Sequence, residues 1–268
     1  MGTNRCEAEI IATGNEIIYG QIVDTNSSWI ADLLTQSGVI VEKITIVADQ
    51  INDIASVIND ALTQNRRLVV MTGGLGPSED DLTIDAVAKA LGTEVIIGDE
   101  ALSLLKAKCD EFGIELTERR KRMARSIRSG QVIPNIIGLA PGLITQSNST
   151  TIFALPGIPE EMKAMFQANV LPRIRRWTAA WTRTINVRVY ANTDRFLIFD
   201  KIQQEFPEVY FKVHGKPPSQ DRYDIQDADV VILARGSDVE ACETILKKVV
   251  SRLQSLLLEK DGNLEIRS

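Results

Sequence analysis

Two adjacent carboxylates, Asp80 and Asp81, close a glycine-rich run, Thr72-Gly73-Gly74-Leu75-Gly76-Pro77-Ser78-Glu79-Asp80-Asp81-Leu82-Thr83. It follows the apolar stretch Leu68-Val69-Val70 and precedes a helix-like one, Ile84 to Leu91. Glycines at a strand-to-helix junction let backbone N–H groups approach an anion closely, and the helix start adds the positive end of its dipole. A bare phosphate cradle wants positive charge, whereas this one carries acid. A divalent ion held between the carboxylates and a substrate phosphate reconciles the two. Asp81 is the better candidate ligand, with Asp80 as alternate or helix cap and Thr83 as a helix cap. Taken singly these residues have a blander meaning, since Gly-Gly and Gly-Pro form turns and Asp with Thr often starts a helix.

Thr13-Gly14-Asn15-Glu16, continued by Gly20 to Asn26, is a second polar cluster at the end of an apolar stretch, and Asp49 ends another. Ligands bind outside the carboxyl ends of strands in a parallel sheet, so Glu16, Asp49 and Asp81 are expected on one edge. Three carboxylates there repel one another unless a cation sits between them; the alternative is that each is a solvated loop acid. Two later turns, Gly138-Leu139-Ala140-Pro141-Gly142 and Leu155-Pro156-Gly157-Ile158-Pro159-Glu160-Glu161-Met162, also lie beside apolar strands. The basic run Arg119 to Arg125 reads as a solvated helix face, with neutralisation of a polyphosphate as the second reading.

The elements that must position these groups alternate. Glu9 to Thr13, Val39 to Val47 and Leu68 to Met71 read as strands. Between them lie a helix carrying Trp29, Ile30, Leu33 and Leu34, capped by Asp24 or Thr25 and stopped by Gly38, and another carrying Ile54, Ala55, Ile58 and Ala61. This order predicts an open, mostly parallel sheet with helices on both faces. Further on come a helix over Leu102, Leu105 and Cys109, a charged one opened by Thr117, extended pieces at 132–133, 143–144 and 151–155, and a helix from about Glu160 to a break at Pro172. From Thr184 a small α+β unit is expected, with strands at 184–191, 209–213 and 230–233, helices at 194–206 and from Val239, and a loop at 215–221. The domain boundary is placed between 181 and 182.

Bulk composition narrows the function classes. A chain of 268 residues with 44 % hydrophobic and 25 % charged content is that of a globular protein of one or two domains. No apolar run reaches membrane-spanning length and the first residues hold no signal-peptide core, which gives cytoplasm as the expected compartment and no membrane partner. The net charge of −6 disfavours a nucleic-acid partner. A single histidine, His214, excludes His-rich zinc sites, and three scattered cysteines without CxxC spacing read as free thiols.

Ala12 to Glu16 with Gly20 to Asn26, then Thr72 to Thr83, Gly138 to Gly142 and Leu155 to Met162, resemble in order the motifs of the CinA family, over roughly residues 7 to 170. The first domain is similar to the molybdopterin-binding fold of molybdenum-cofactor biosynthesis proteins. The resemblance implies a three-layer α/β domain that self-associates, with a homodimer expected, and a small α+β second domain. It further implies a pyrophosphatase dependent on magnesium, manganese or cobalt that cleaves ADP-ribose, or a related dinucleotide such as FAD, to AMP and a phosphorylated product. In the cofactor-biosynthesis relatives it implies adenylyl transfer to molybdopterin or its binding. Asp49 and Asp81 would then hold the metal and, with Glu16 and Asp80, serve catalysis. Gly14, Asn15, Asn26, Thr72, Gly73, Gly74, Gly76, Pro77, Gly142 and Gly157 would contact nucleotide and phosphate. Where the family carries two asparagines and a glutamine, this chain has Arg119, Arg120 and Met123, which supports a third alternative, a non-catalytic nucleotide-binding protein. The chain ends at Ser268, so no deamidase activity of the longer CinA proteins is expected.

Overall fold

The computed structural model describes residues 6–178, 181–190, 195–207, 209–214 and 227–267. The chain divides into two compact units, one from Met1–Thr35 and Val39–Thr178, the other from Gln36–Gly38 and Ala179–Ser268.

In the first unit β1 (Glu7–Thr13), α1 (Asn15–Ile18), α2 (Thr25–Gln36), β2 (Ile40–Val47), α3 (Ile51–Thr63), β3 (Leu68–Thr72) and α4 (Thr83–Leu91) follow one another. β4 (Val95–Ile97), α5 (Asp99–Glu111), α6 (Glu118–Lys121) and β5 (Arg125–Ile127) come next, then β6 (Gln131–Ile133), β7 (Gly142–Ser147) and β8 (Thr150–Leu155). The unit closes with α7 (Pro159–Met165), a π turn at Phe166–Val170 and α8 (Leu171–Ile174). Six strands form one sheet in the order β2-β1-β3-β8-β7-β6. The neighbours β2, β1, β3 and β8 run parallel, whereas β7 is antiparallel to both β8 and β6. All five residues of β3 are buried, as suits a parallel strand covered on both faces.

Alternation along the strands splits the apolar residues between two cores. Ile11, Val69, Met71 and Ile152 pack with Ile54, Ile58 and Val87 of α3 and α4. Ile10, Val70 and Phe153 pack on the other face with Ile30 and Leu34 of α2 and with Phe166 and Ile174. Helix, sheet and helix thus make three layers, the architecture expected from the strand–helix alternation. α2 starts where it should, with Ser27 N–H donating to Asp24 Oδ1 at 2.9 Å.

Three local expectations are corrected. Thr117 does cap a helix, its Oγ1 accepting from Arg120 N at 3.2 Å, but α6 is one turn long. The chain then enters β5, which pairs with β4 in a two-stranded ribbon without an alternating pattern long enough to be read. Nor does Pro172 end the helix that begins at Pro159; the π turn intervenes and Pro172 enters the first turn of α8, where no intrahelical N–H is required of it.

The second unit contains β9 (Trp181–Tyr190), α9 (Arg195–Glu205), β10 (Val209–His214), β11 (Asp227–Gly236), α10 (Val239–Leu258) and β12 (Asn263–Arg267). Its strands form an antiparallel sheet in the order β10-β11-β9-β12. Val187, Val189, Val230 and Ile232 pack against Ile202 of α9 and against Val249 and Leu253 of α10. The alternation at Ile185, Val187 and Val189 produced the strand, and the apolar stripe of α10 is core. His214 is exposed at the end of β10. The expected loop at 215–221 lies outside the described residues.

Candidate functional site

A cleft of about 890 Å³ opens at the carboxyl edge of the parallel strands. Its walls come from the segments after β1, β2, β3 and β8 and from the stretch between β6 and β7, a placement that follows from the sheet's topology.

The glycine loop after β3 is held by side chains from three other segments. Gly73 adopts φ +102°, and a Cβ there would collide with the Thr13 carbonyl, so only glycine fits. Gly73 N–H donates to Leu155 O at 3.0 Å, and the Gly73 carbonyl accepts from Thr83 Oγ1 at 2.8 Å. Thr83 is fully buried, and its hydroxyl also meets Thr13 Oγ1 at 3.3 Å. Its expected role as a helix cap is therefore corrected: Leu82 occupies the cap position, and Thr83 braces the loop. Asn26 Nδ2 donates to Thr72 Oγ1 at 3.0 Å and to Gly157 O at 2.8 Å, tying α2 to the segments after β3 and β8. Thr72 Oγ1 in turn donates to Pro156 O at 3.0 Å.

The acids gather at one side of this loop. Glu16, Asp49, Asp80 and Asp81 all line the cleft. Asp49 Oδ2 accepts from Asn15 N–H at 2.8 Å, and Asn15 Oδ1 accepts from Asp49 N–H at 3.3 Å. Burial lifts the Asp49 carboxyl above its ordinary range; the Asn15 N–H opposes this, and the charges of Glu16, Asp80 and Asp81 add to it. Asp81 turns back on its own loop, Oδ2 accepting from Ser78 N–H at 2.7 Å. One oxygen of Asp49 and one of Asp81 are thus engaged. Among the described residues no three acids, histidines or cysteines are close enough to cage a metal. Such a site fits a hydrated hard cation held by one or two carboxylates and completed by phosphate oxygens, as magnesium is commonly held.

The basic run is a solvated face only in part: the bonds of Arg119, Arg120 and Lys121 are exposed, whereas Arg122 and Arg125 are half-buried. Arg119 Nη2 donates to Ser78 Oγ at 3.1 Å, Arg122 Nη2 donates to Ser78 O at 3.2 Å, and Arg125 Nη2 donates to Asp81 O. Arg125 is anchored by Asp85 at 2.7 Å. These arginines clasp the acid-bearing end of the loop, a role invisible in sequence because it depends on the folding of the β4–β5 ribbon against α4.

Gly14, Asn26, Thr72, Gly73, Gly74, Gly76, Pro77 and Gly157 line the cleft with the four acids. Asn15 and Gly142 do not. The Asn15 backbone N–H and Oδ1 are both engaged by Asp49, so Asn15 supports the Asp49 segment. Gly142 begins β7 where a Cβ would stand 2.7 Å from Ala154 O and 2.8 Å from Met165 Cε, and it serves strand packing.

A carboxylate that the sequence reading did not single out lines the opposite half. Glu161 of α7 accepts through Oε2 from Asn135 Nδ2 at 2.6 Å, and the buried Asn135 accepts from Ile137 N–H and Gly138 N–H at 3.1 and 2.8 Å. Burial raises the Glu161 carboxyl above its ordinary range, the Asn135 bond opposes the rise, and Glu160 adds to it. The cleft that Glu161 lines also carries the apolar residues Phe112, Met123, Ile137, Leu139 and Ile158. Nothing in the spacing marks Glu161, because its partner lies 26 residues upstream across a turn.

Fold and cleft together define a three-layer α/β protein with a cleft at the carboxyl edge of a mostly parallel sheet, joined in sequence to a small antiparallel unit. The chain belongs to the family described as "Probable molybdopterin binding domain", matched over residues 9–176, and it is of the CinA type. The crystal structure of the protein CinA from Thermoplasma acidophilum, described as of unknown function, is 36 % identical, covers 64 % of this chain and 99 % of its own, and superposes with a TM-score of 0.59. A Pyrobaculum arsenaticum protein is 33 % identical over 258 residues, 95 % of this chain and 96 % of that one. A Pyrococcus abyssi protein is 34 % identical over 258 residues, 93 % of this chain and 96 % of that one. Among the described residues no helix is long and apolar enough to cross a membrane.

Proposed function

We propose that the cleft binds a nucleotide through its pyrophosphate and cleaves the phosphoanhydride, ADP-ribose or a related dinucleotide such as FAD yielding AMP and a phosphorylated product. The observation that carries this reading is the gathering of Glu16, Asp49, Asp80 and Asp81 beside a glycine loop whose backbone is pinned on three sides. Burial lifts the Asp49 carboxyl, the charges of Glu16, Asp80 and Asp81 add to the rise, and a cation would offset both. Asp49 and Asp81 would hold a divalent magnesium, manganese or cobalt ion, which when bound supplies Lewis-acid polarisation of a phosphoryl oxygen and a more acidic water. The residues do the positioning. Gly73 N–H being held by Leu155 O, the amides of Gly74 and Gly76 would face the phosphates, and Glu16 or Asp80 would orient the attacking water and accept its proton. Arg119, Arg122 and Arg125 keep the loop closed around Asp81.

The family match favours a second reading, binding or adenylylation of molybdopterin in the same cleft. One assay separates the two. Purified protein given ADP-ribose or FAD with each metal is expected to release AMP above a metal-free control, and Asp81→Ala to lose about a hundredfold or more of that rate while remaining folded. No AMP release with any metal, or unchanged activity in the variant, overturns the reading. ATP-dependent product formation with molybdopterin in place of AMP release establishes the second.

A further inference from the structure

The half of the cleft away from the acids has a chemistry of its own. Along the carboxyl edge the order is the Asp49 segment after β2, the Glu16 segment after β1, the glycine loop after β3 and the Glu161 segment after β8. The strands that lead into the Asp49 and Glu161 segments, β2 and β8, are three spacings apart, roughly 14 Å at the usual interstrand distance. A ligand with its pyrophosphate on the central glycine loop reaches the Glu161 half with whatever it carries beyond the phosphates. That half offers Phe112, Ile137 and Ile158, which remain 47 %, 47 % and 55 % exposed, so a flat ring laid across them removes apolar surface from water. Glu161 is the acid among them. Its Oε2 is fixed by Asn135, its carboxyl rests against the Cα of Gly138 where no side chain fits, and α7 is anchored by the fully buried Met162 and Met165. A carboxylate so held is an acceptor of fixed position, and it offers no donor when ionised.

Resting on the nucleotide reading of the cleft, we infer that Glu161 is a specificity-determining residue that accepts a hydrogen bond from the exocyclic amine of a heteroaromatic ring seated on Phe112, Ile137 and Ile158. Amino-bearing bases satisfy it. A ring with a carbonyl in that place sets oxygen against oxygen, and a ring with neither group leaves the carboxylate unpaired.

Calorimetry in magnesium tests this with ADP, purine riboside 5′-diphosphate, which lacks only the amine, and IDP, which has a carbonyl there. The wild-type protein is expected to bind ADP about ten- to a hundredfold more tightly than either analogue, the range for a hydrogen bond to a charged group. Glu161→Gln can keep its carbonyl on Asn135 and present an N–H instead of an acceptor, so the ADP-over-IDP preference is expected to invert. A merely structural role would weaken all three ligands alike. Equal affinities for ADP and purine riboside diphosphate, or an unchanged ADP-to-IDP ratio in Glu161→Gln, overturn the inference while leaving the nucleotide reading intact. If the wild-type protein binds none of the three, both fall.

Discussion

Gly76→Ala tests how the glycine loop aims Asp81. A Cβ on Gly76 would stand 2.6 Å from Asp81 Oδ2 and 2.9 Å from Oδ1. Non-bonded atoms around carbon settle near roughly 3.5 Å, so the carboxylate or the loop must yield by up to about 0.9 Å. The same Oδ2 accepts from Ser78 N–H at 2.7 Å. Lengthened by that amount the contact is no longer a hydrogen bond. A bond to a charged group contributes about 1.5–3 kcal/mol, and the partly exposed loop recovers some of it through water, so a stability loss of about 1–2 kcal/mol is expected in urea unfolding. If Asp81 must be in place for the reaction, the AMP-release rate falls about ten- to a hundredfold. The decisive comparison is the double-mutant cycle with Asp81→Ala. The three atoms nearest the new methyl all belong to the Asp81 carboxylate, so once it is removed the stability cost of Gly76→Ala is expected to shrink by about 1 kcal/mol or more. A cost that persists in the Asp81→Ala background would show that the glycine serves backbone conformation, and the clash argument would be wrong.

Two further expectations concern stability. Glu161 has a folded pKa raised above its ordinary 4.5, so its contribution is fully present below pH 4.5 and lost as pH rises through the raised value. Glu161→Gln keeps the shape without the titration; the wild-type protein should therefore lose stability relative to the variant as urea melts move upward from pH 4.5, and a pH-independent difference would contradict the burial argument. Asn26→Ala removes donors to both Thr72 Oγ1 and Gly157 O, the first bond buried and the second partly so. A loss of about 2–4 kcal/mol is expected in thermal or urea unfolding, and a loss below about 0.5 kcal/mol would mean that water takes over both bonds.

Much of the first unit was legible. β-branched strands, helical spacing in α2 and α3 and the glycine stop after α2 are local signals, and they required one mostly parallel sheet. Such a sheet brings Glu16, Asp49 and Asp81 to one edge. The errors fell where partners are remote. Thr83 looked like a cap because Asp-Leu-Thr before an apolar run usually is one, yet its hydroxyl is taken by Gly73 O, ten residues back. Within the solvated run Arg119 to Arg125, only Arg122 and Arg125 depart from the expectation, because their partners Ser78 and Asp81 lie 44 residues upstream. Gly142 looked like a phosphate glycine because glycines for close packing and for anion approach are identical in sequence.

What the sequence determined by itself is the acid-bearing glycine loop and the strand ends that surround it, because residue type and hydrophobic period are local properties. What only the tertiary structure decided is which groups act together. The Asn15–Asp49 pair spans 34 residues, the Arg125 contact with Asp81 spans 44 and the Asn26 bond to Gly157 spans 131. Glu161 acquires its acceptor role only when Asn135 folds against it. Hydrogen bonds and burial depend on distance in space, and chain spacing carries no record of it beyond a turn or two of helix.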